Sequence, residues 1–207
     1  MKLVTKLPLA LALIVGSVTS PVFAEDGHHA GKEDGHHAGK VEKKLRAEAT
    51  IAGPGITGEA HLYEEHDGLV RIKMMVQGMP DSKLTPGRHA VHIHETGACD
   101  PFTAAKGHYD GNIDPQVNPK ANVSPDLGNH PYHLGDLSNL VVDENRNGTL
   151  YAITSRVTLT PGLTTLFDAD GSAFIIHGLE DKFLPDPPTK DAPGGPRIAC
   201  GVIVLKK

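Results

Sequence analysis

The sequence predicts an all-β fold, a sandwich or barrel of about eight short strands. From Lys44 onward, short runs that alternate between apolar and polar residues are separated by turn residues, and no run has a convincing helical period. Two long irregular segments interrupt this pattern. A loop of that length inside a compact domain is usually functional, so we expect the functional residues in or beside these two loops.

Each predicted strand is a short run bounded by Gly, Pro, Asn or Asp. The eight runs are 46–52, 58–64, 69–77, 88–95, 137–142, 149–159, 173–177 and 198–205. The last of these is apolar and predicts a buried strand. The first long loop spans 97–135 and is rich in Gly, Pro, Asn and Asp, and the second spans 178–196 and is rich in Pro.

Residues 1–24 read as a signal peptide. Lys2 and Lys6 form a basic start, an apolar stretch follows at 7–18, and small residues at 22–24 suit a cleavage site. The apolar stretch is too short to span a membrane. We therefore expect a periplasmic or secreted protein with no membrane partner, the alternative being a retained N-terminal anchor.

Export places the two cysteines, Cys99 and Cys200, in an oxidising compartment, where they are expected to form a disulfide. Closing so long a loop would stabilise the fold by roughly 4–5 kcal/mol in the chain-entropy model. The alternative is a pair of free buried thiols.

A tandem repeat follows the signal peptide: EDGHHAGK occurs at 25–32 and again at 33–40. It holds nothing that could build a core, so 25–43 is predicted to be a disordered tail. Its paired histidines and acids would bind Cu²⁺ or Zn²⁺ loosely, the alternative being a plain spacer. Losing Lys2 and Lys6 with the signal peptide changes the formal net charge from −5 to −7, which argues against nucleic-acid binding.

The histidine pair His92 and His94 lies within one predicted strand. Side chains alternate along a strand, so both imidazoles leave one face while His89, Val91 and Ile93 point to the other. Two adjacent imidazoles on a strand make a half-site for a transition metal, whereas a surface hairpin with two exposed histidines is the alternative.

The long loops bring further candidate ligands to this pair. They contribute His108, His130, His133 and Asp136, and the second loop starts directly after His177. Imidazoles with a carboxylate, and no spare cysteine, suit copper or zinc. His61 and His66, in the hairpin region, are expected to be ordinary surface residues.

Five segments together resemble the secreted bacterial copper/zinc superoxide dismutases. These are 89–95, 107–109, 133–137, 174–177 and 197–203, in the order typical of that family, within about 45–207. The resemblance implies an eight-stranded Greek-key β-barrel, an immunoglobulin-like sandwich with two long functional loops, over 44–207.

The resemblance also implies roles for single residues. Copper would be bound by His92, His94, His108 and His177. Zinc would be bound by His133 and Asp136, with His108 bridging the two metals. Asp181 would link the two ligand sets, Cys99 and Cys200 would form the family's disulfide, and His89 would be a core residue. Arg197 would guide the anion, and Thr189 and Lys190 fall in the steering loop.

The chain departs from the family pattern at the third zinc histidine. That residue usually lies eight or nine positions before the one at His133, where this chain has Pro125 and Ser124. His130 is the candidate replacement, and a zinc site with three protein ligands, or a weak one, is the alternative. Ala90 also stands in place of the usual glycine, and the approach to the arginine at 192–196 is altered.

The resemblance implies disproportionation of superoxide to O₂ and H₂O₂ by a copper centre that cycles between Cu(II) and Cu(I). Two other functions stay open: a non-enzymatic copper/zinc binding or storage protein, and an adhesion or assembly module. The presence of Arg197 distinguishes the superoxide dismutase from the storage protein, because storage needs no anion guide. The family includes dimers and monomers, so a homodimer also stays open.

Overall fold

The computed structural model describes residues 44–65, 68–111, 130–184 and 191–206. The predicted signal peptide, the predicted tail at 25–43, His66, Thr189 and Lys190 lie outside the described residues. The chain divides into residues 1–40 and a unit of 41–207, to which all described residues belong. Among them, no helix is long and apolar enough to cross a membrane.

The described residues form ten strands and one short 3-10 helix, Phe102–Ala105. The strands are β1 Leu45–Gly53, β2 Ile56–Glu64, β3 Val70–Gly78, β4 Gly87–His89, β5 Val91–His94, β6 Leu140–Val142, β7 Asn147–Thr154, β8 Ala173–His177, β9 Arg197–Val202 and β10 Val204–Leu205.

These strands close into an antiparallel barrel. The hydrogen-bonded order is β4-β6-β7-β3-β2-β1-β9-β8-β5, with β10 also on β1. β4 and β5 are separated by Ala90 alone, so the two ends of this order are halves of one strand and the sheet returns to its start. With β9 and β10 also counted as one strand, the barrel has eight strands. The chain passes from β3 to β4 across β7 and β6, which is a Greek-key connection, so the predicted fold is confirmed.

The alternating runs become strands because one face of each packs into the barrel. In β2 and β3 the inward residues Ala60, Leu62, Ile72 and Met74 are buried, while their neighbours along each strand are more exposed. In β5 and β8, by contrast, every residue is buried. Their inner face packs in the core, and their outer face therefore lies beneath other parts of the chain.

Several predicted boundaries were wrong, and two of these errors lie where the chain makes contacts distant in sequence. The predicted strand 149–159 ends at Thr154, beyond which the Glu64 carboxylate accepts the backbone N–H groups of Leu159 and Thr160 at 2.8 and 2.7 Å. The predicted strand 88–95 breaks at Ala90, whose N–H donates to Leu179 O at 2.8 Å.

Two further corrections concern the chain after the first long loop. The strand predicted at 137–142 begins only at Leu140. The last predicted strand, 198–205, was expected to be buried throughout, but Val204 and Leu205 are about half exposed, because β10 lies at the barrel surface on β1.

Candidate metal centre

The β5 strand places the histidine pair as alternation predicts. Val91 and Ile93 are buried in the hydrophobic core, and His92 and His94 leave the opposite face. Strand β8 pairs with β5 and carries His177, whose ring centroid lies 5.0 Å from that of His92. His108 joins the group through a bridge between its backbone and that of His94.

Four imidazoles converge at this point. One ligand atom from each of His92, His94, His108 and His177 lies within 4.8 Å of the others, and all four residues are buried. Nδ1 of His92 and Nε2 of His177 are only 3.2 Å apart. Two nitrogens this close can share a proton or a metal cation.

The remaining ring nitrogens are held by the protein. His94 Nδ1 donates to Lys106 O at 2.9 Å, and His177 Nδ1 donates to Gly195 O at 2.9 Å. These bonds leave Nε2 of each ring free to bind a metal. His94 Nε2 is buried and has no hydrogen-bond partner.

The electrostatics of this cluster favour neutral imidazoles. Burial lowers the pKa of His94 and His177, and repulsion from neighbouring rings adds to the effect. Burial also lowers the pKa of His92, although Asp181 and Asp136 oppose it. Burial and the neighbouring His92 lower the pKa of His108 to about 3. A neutral imidazole has the free lone pair that a metal ligand needs.

A second cluster surrounds Asp136. Its Oδ1 lies 2.6 Å from His108 Nδ1 and 3.4 Å from His130 Nδ1, and its Oδ2 lies 3.2 Å from His133 Nδ1. His130 Nδ1 is buried and has no hydrogen-bond partner. Three imidazole nitrogens thus face one carboxylate, a ligand set typical of zinc.

At this second cluster, the ligand atoms that all lie within 4.8 Å of one another belong to His92, His108, His130 and Asp136. This group contains His92 in place of His133. We favour His133 as a member, because its Nδ1 faces the carboxylate, whereas His92 Nε2 is bonded to Asp181 at 2.9 Å.

Asp181 connects the two clusters. Its Oδ2 accepts from His92 Nε2 at 2.9 Å, and its Oδ1 accepts from His130 Nε2 at 2.8 Å. Asn139 fixes the backbone of Asp181 through two hydrogen bonds, of 2.7 and 3.0 Å. Asn139 could not be predicted as part of the site, since nothing in its local sequence pattern relates it to a residue in the second loop.

Two carboxylates make His130 a strong proton acceptor. Burial alone would lower the pKa of His130, but the neighbouring carboxylates of Asp136 and Asp181 raise it to about 9, Asp181 also through its hydrogen bond to Nε2. Burial would likewise raise the pKa of both carboxyl groups, but their histidine partners hold it well below the ordinary value. The protein therefore stabilises one positive charge at this position.

Arg197 borders the copper-type cluster. Its Nη1 donates to Phe102 O at 2.7 Å and its Nη2 donates to Lys106 O. Three residues further along β9, Cys200 forms the predicted disulfide with Cys99, which is thereby confirmed. The disulfide ties the first loop to β9, and so fixes the segment that carries the two carbonyl groups.

These clusters fit one copper and one zinc ion. Each contains a buried imidazole nitrogen with no partner, which costs free energy unless a ligand completes it. The donors are imidazole and carboxylate without thiolate, a set suited to Cu and Zn.

Comparison with known proteins decides the family. A family model described as copper/zinc superoxide dismutase (SODC) matches residues 56–203. The chain belongs to this family. A Cu-Zn superoxide dismutase of Aquifex aeolicus (strain VF5) is 34% identical over 163 residues, covering 77% of this chain and 86% of that protein. One from Escherichia coli (strain K12) is 35% identical over 130 residues, covering 60% and 69%.

A crystal structure of the clock protein EA4 has the same fold, with a TM-score of 0.58 and 24% identity over 81% of this chain and 98% of that one. Among the described residues, two further histidines lie outside both clusters of this copper/zinc superoxide dismutase family member. His89 is buried, with its ring nitrogens 2.8 Å from His177 O and Thr85 O. His61 lies at the surface beside Glu59. Sequence reasoning did not identify Lys106 or Asn139 as residues that contact the site.

Proposed function

We propose that this chain disproportionates superoxide to O₂ and H₂O₂ at the four-imidazole cluster beside Arg197. The observation that carries the proposal is the convergence of these rings around His94 Nε2, a buried nitrogen with no partner. Bound copper would supply a one-electron couple between Cu(II) and Cu(I), by which one superoxide is oxidised and a second is reduced. Membership of the copper/zinc superoxide dismutase family supports the same reaction.

Copper would be held by His92, His94, His108 and His177. The support is the orientation of three of the rings: Lys106 O, Gly195 O and Asp181 occupy the nitrogens of His94, His177 and His92 that face away from the cluster. Outer contacts of this kind fix which nitrogen can bind a metal and raise its basicity.

Zinc would be held by His108, His130, His133 and Asp136. His130 takes the place of the family's missing histidine, and two contacts support this assignment. Its Nδ1 is directed at Asp136, and its Nε2 bonds to the carboxylate that also orients His92. The raised pKa of His130 indicates where a cation is stabilised, and zinc would replace that proton.

Arg197 would guide the substrate. Its guanidinium stays protonated even though burial lowers its pKa, and its two carbonyl contacts hold it in place beside the cluster. The chain as a whole is net negative, so a small anion must be attracted by a local charge. His108 belongs to both clusters: its Nδ1 lies beside Asp136 in the zinc cluster, and its Nε2 would exchange a proton.

We further propose a signal peptide at 1–24, a periplasmic or secreted location, and metal capture by the tail at 25–43. The disulfide supports an oxidising compartment, and the duplicated His-His pairs support metal capture. Deleting 25–40 should leave activity unchanged at saturating copper and reduce it when copper is scarce. Equal activity of both forms under copper limitation would make the tail a spacer.

The deciding experiment combines metal analysis with a dismutation assay on the mature chain. We expect one copper and one zinc per chain, together with fast superoxide removal that is lost when the metals are chelated. Stoichiometric copper without dismutation would refute the enzyme and support the storage protein. Sedimentation of the same sample distinguishes a monomer from a homodimer.

A further inference from the structure

Lys106 lies where the metal ligands and the anion guide meet. Its carbonyl oxygen accepts hydrogen bonds from both His94 Nδ1, at 2.9 Å, and Arg197 Nη2. One backbone oxygen therefore orients a copper-type ligand and the guanidinium beside it. A small rotation of this peptide group would move both contacts together.

The backbone of Lys106 has an unfavourable conformation. Lys106 ends the short 3-10 helix Phe102–Ala105 with φ 61° and ψ −142°. In that region the Cβ of any L residue other than glycine is crowded by its own backbone, so the conformation persists only when surrounding contacts impose it. The N–H of Lys106 contributes one such contact, to Thr103 O at 3.1 Å.

The side chain supplies a second contact. Lys106 Nζ donates to Asp170 Oδ2 at 3.0 Å, and the same oxygen accepts from Thr96 Oγ1 at 2.9 Å. The backbone O of Asp170 also accepts from Gly97 N at 2.9 Å. Exposed ion pairs are weak when both side chains must be ordered to form them. Here the carboxylate is already held by the segment that follows β5.

We propose that Lys106 is a positioning residue: its ammonium group, anchored to Asp170, holds the left-handed backbone that aims its carbonyl oxygen at His94 and Arg197. This inference rests on the proposed function, because it assigns Lys106 a part in arranging that same site. The positive charge of Lys106 is then secondary, since Asp170 neutralises it.

Two substitutions at Lys106 separate this role from a role of its charge. Lys106→Ala removes the anchor but keeps the Cβ that disfavours the conformation. Lys106→Gly removes the anchor and the Cβ together, so the left-handed backbone becomes acceptable without help. If Lys106 acts by positioning, the glycine variant should keep the azide affinity that the alanine variant loses. If Lys106 acts through its charge, both variants should lose the same azide affinity.

The readouts are azide affinity and the visible spectrum of the Cu(II) protein, measured on copper- and zinc-loaded full chain. We expect Lys106→Ala to weaken azide binding about tenfold, as expected when one charge-assisted hydrogen bond is misplaced, and to shift the absorption band. Lys106→Gly should stay close to wild type. Asp170→Asn, which leaves Lys106 itself intact, should change both readouts in the direction of Lys106→Ala.

Lys206→Ala is the matched control, because it breaks an exposed ion pair, to Glu48, that contacts no residue of either cluster. The proposal is overturned if Lys106→Ala and Lys106→Gly behave alike, whether both match wild type or both lose azide affinity. Should Lys106→Ala not fold, an Asp170→Asn variant with wild-type azide affinity and spectrum overturns it equally. A wild-type chain that binds no copper would instead count against the proposed function, before any variant is compared.

Discussion

Replacing His130 with alanine tests the proposed zinc ligand that departs from the family pattern. The change removes the Nδ1 that faces Asp136 and the Nε2 that bonds to Asp181 Oδ1. Structural zinc sites bind with about 10–16 kcal/mol, so each of four ligands accounts for about 2.5–4 kcal/mol. The zinc affinity of His130→Ala should therefore fall roughly 10²–10³-fold.

The assay is a competition titration of metal-free protein with zinc against a chromophoric chelator at constant pH. His133→Ala should lose a similar amount, whereas Asp181→Asn, which removes no ligand but weakens the orientation of both His130 and His92, should lose roughly 10–100-fold. His61→Ala is the control, because His61 is a partly exposed histidine on β2 that belongs to neither cluster. If His130→Ala kept wild-type zinc affinity while His133→Ala lost it, zinc would be bound by three protein ligands and the replacement would be wrong.

Three other outcomes follow from the same contacts. His94→Ala should lose both bound copper and dismutation, and copper analysis that found wild-type content with full activity would contradict the ligand assignment. Arg197→Ile should keep copper, lose most activity and depend less on ionic strength, with Arg197→Lys intermediate; stopped-flow rates at several salt concentrations measure this. In metal-free protein, protonated His130 pairs with the carboxylates of Asp136 and Asp181, which raises its pKa. This pairing stabilises the fold fully below about pH 6.5, and the contribution is lost as the pH rises through about 9. Thermal unfolding should show this loss, and a His130→Gln variant with the same alkaline slope would assign it to another group.

The parts of the fold that the sequence predicted are those that local pattern controls. Alternation in β2 and β3 reflects a single buried face, and the same alternation separates His92 and His94 from Val91 and Ile93. A period of two is visible within a few residues, so it needs no knowledge of distant partners.

The parts that could not be predicted depend on contacts between distant segments. At the break in the predicted strand, Ala90 N–H donates to Leu179 O. Beyond the end of β7, the Glu64 carboxylate accepts from the backbone. Asn139 donates to the backbone O of Asp181, 42 residues away. None of these residues is distinctive by type or spacing. Lys106 escaped notice for a different reason, since its contribution is made by a carbonyl oxygen, which every residue has.

The position of His130 supports our proposal that it replaces the zinc histidine expected elsewhere in its loop. His130, His133 and Asp136 lie within one short segment, and Asp136 accepts from the backbone N–H of His133 as well as facing its ring. A ligand moved into this segment still reaches Asp181, and through Asp181 it still reaches His92. What the site needs is an imidazole with one nitrogen toward Asp136 and the other toward Asp181. That requirement concerns position in space, so a histidine from a different place in the loop can meet it.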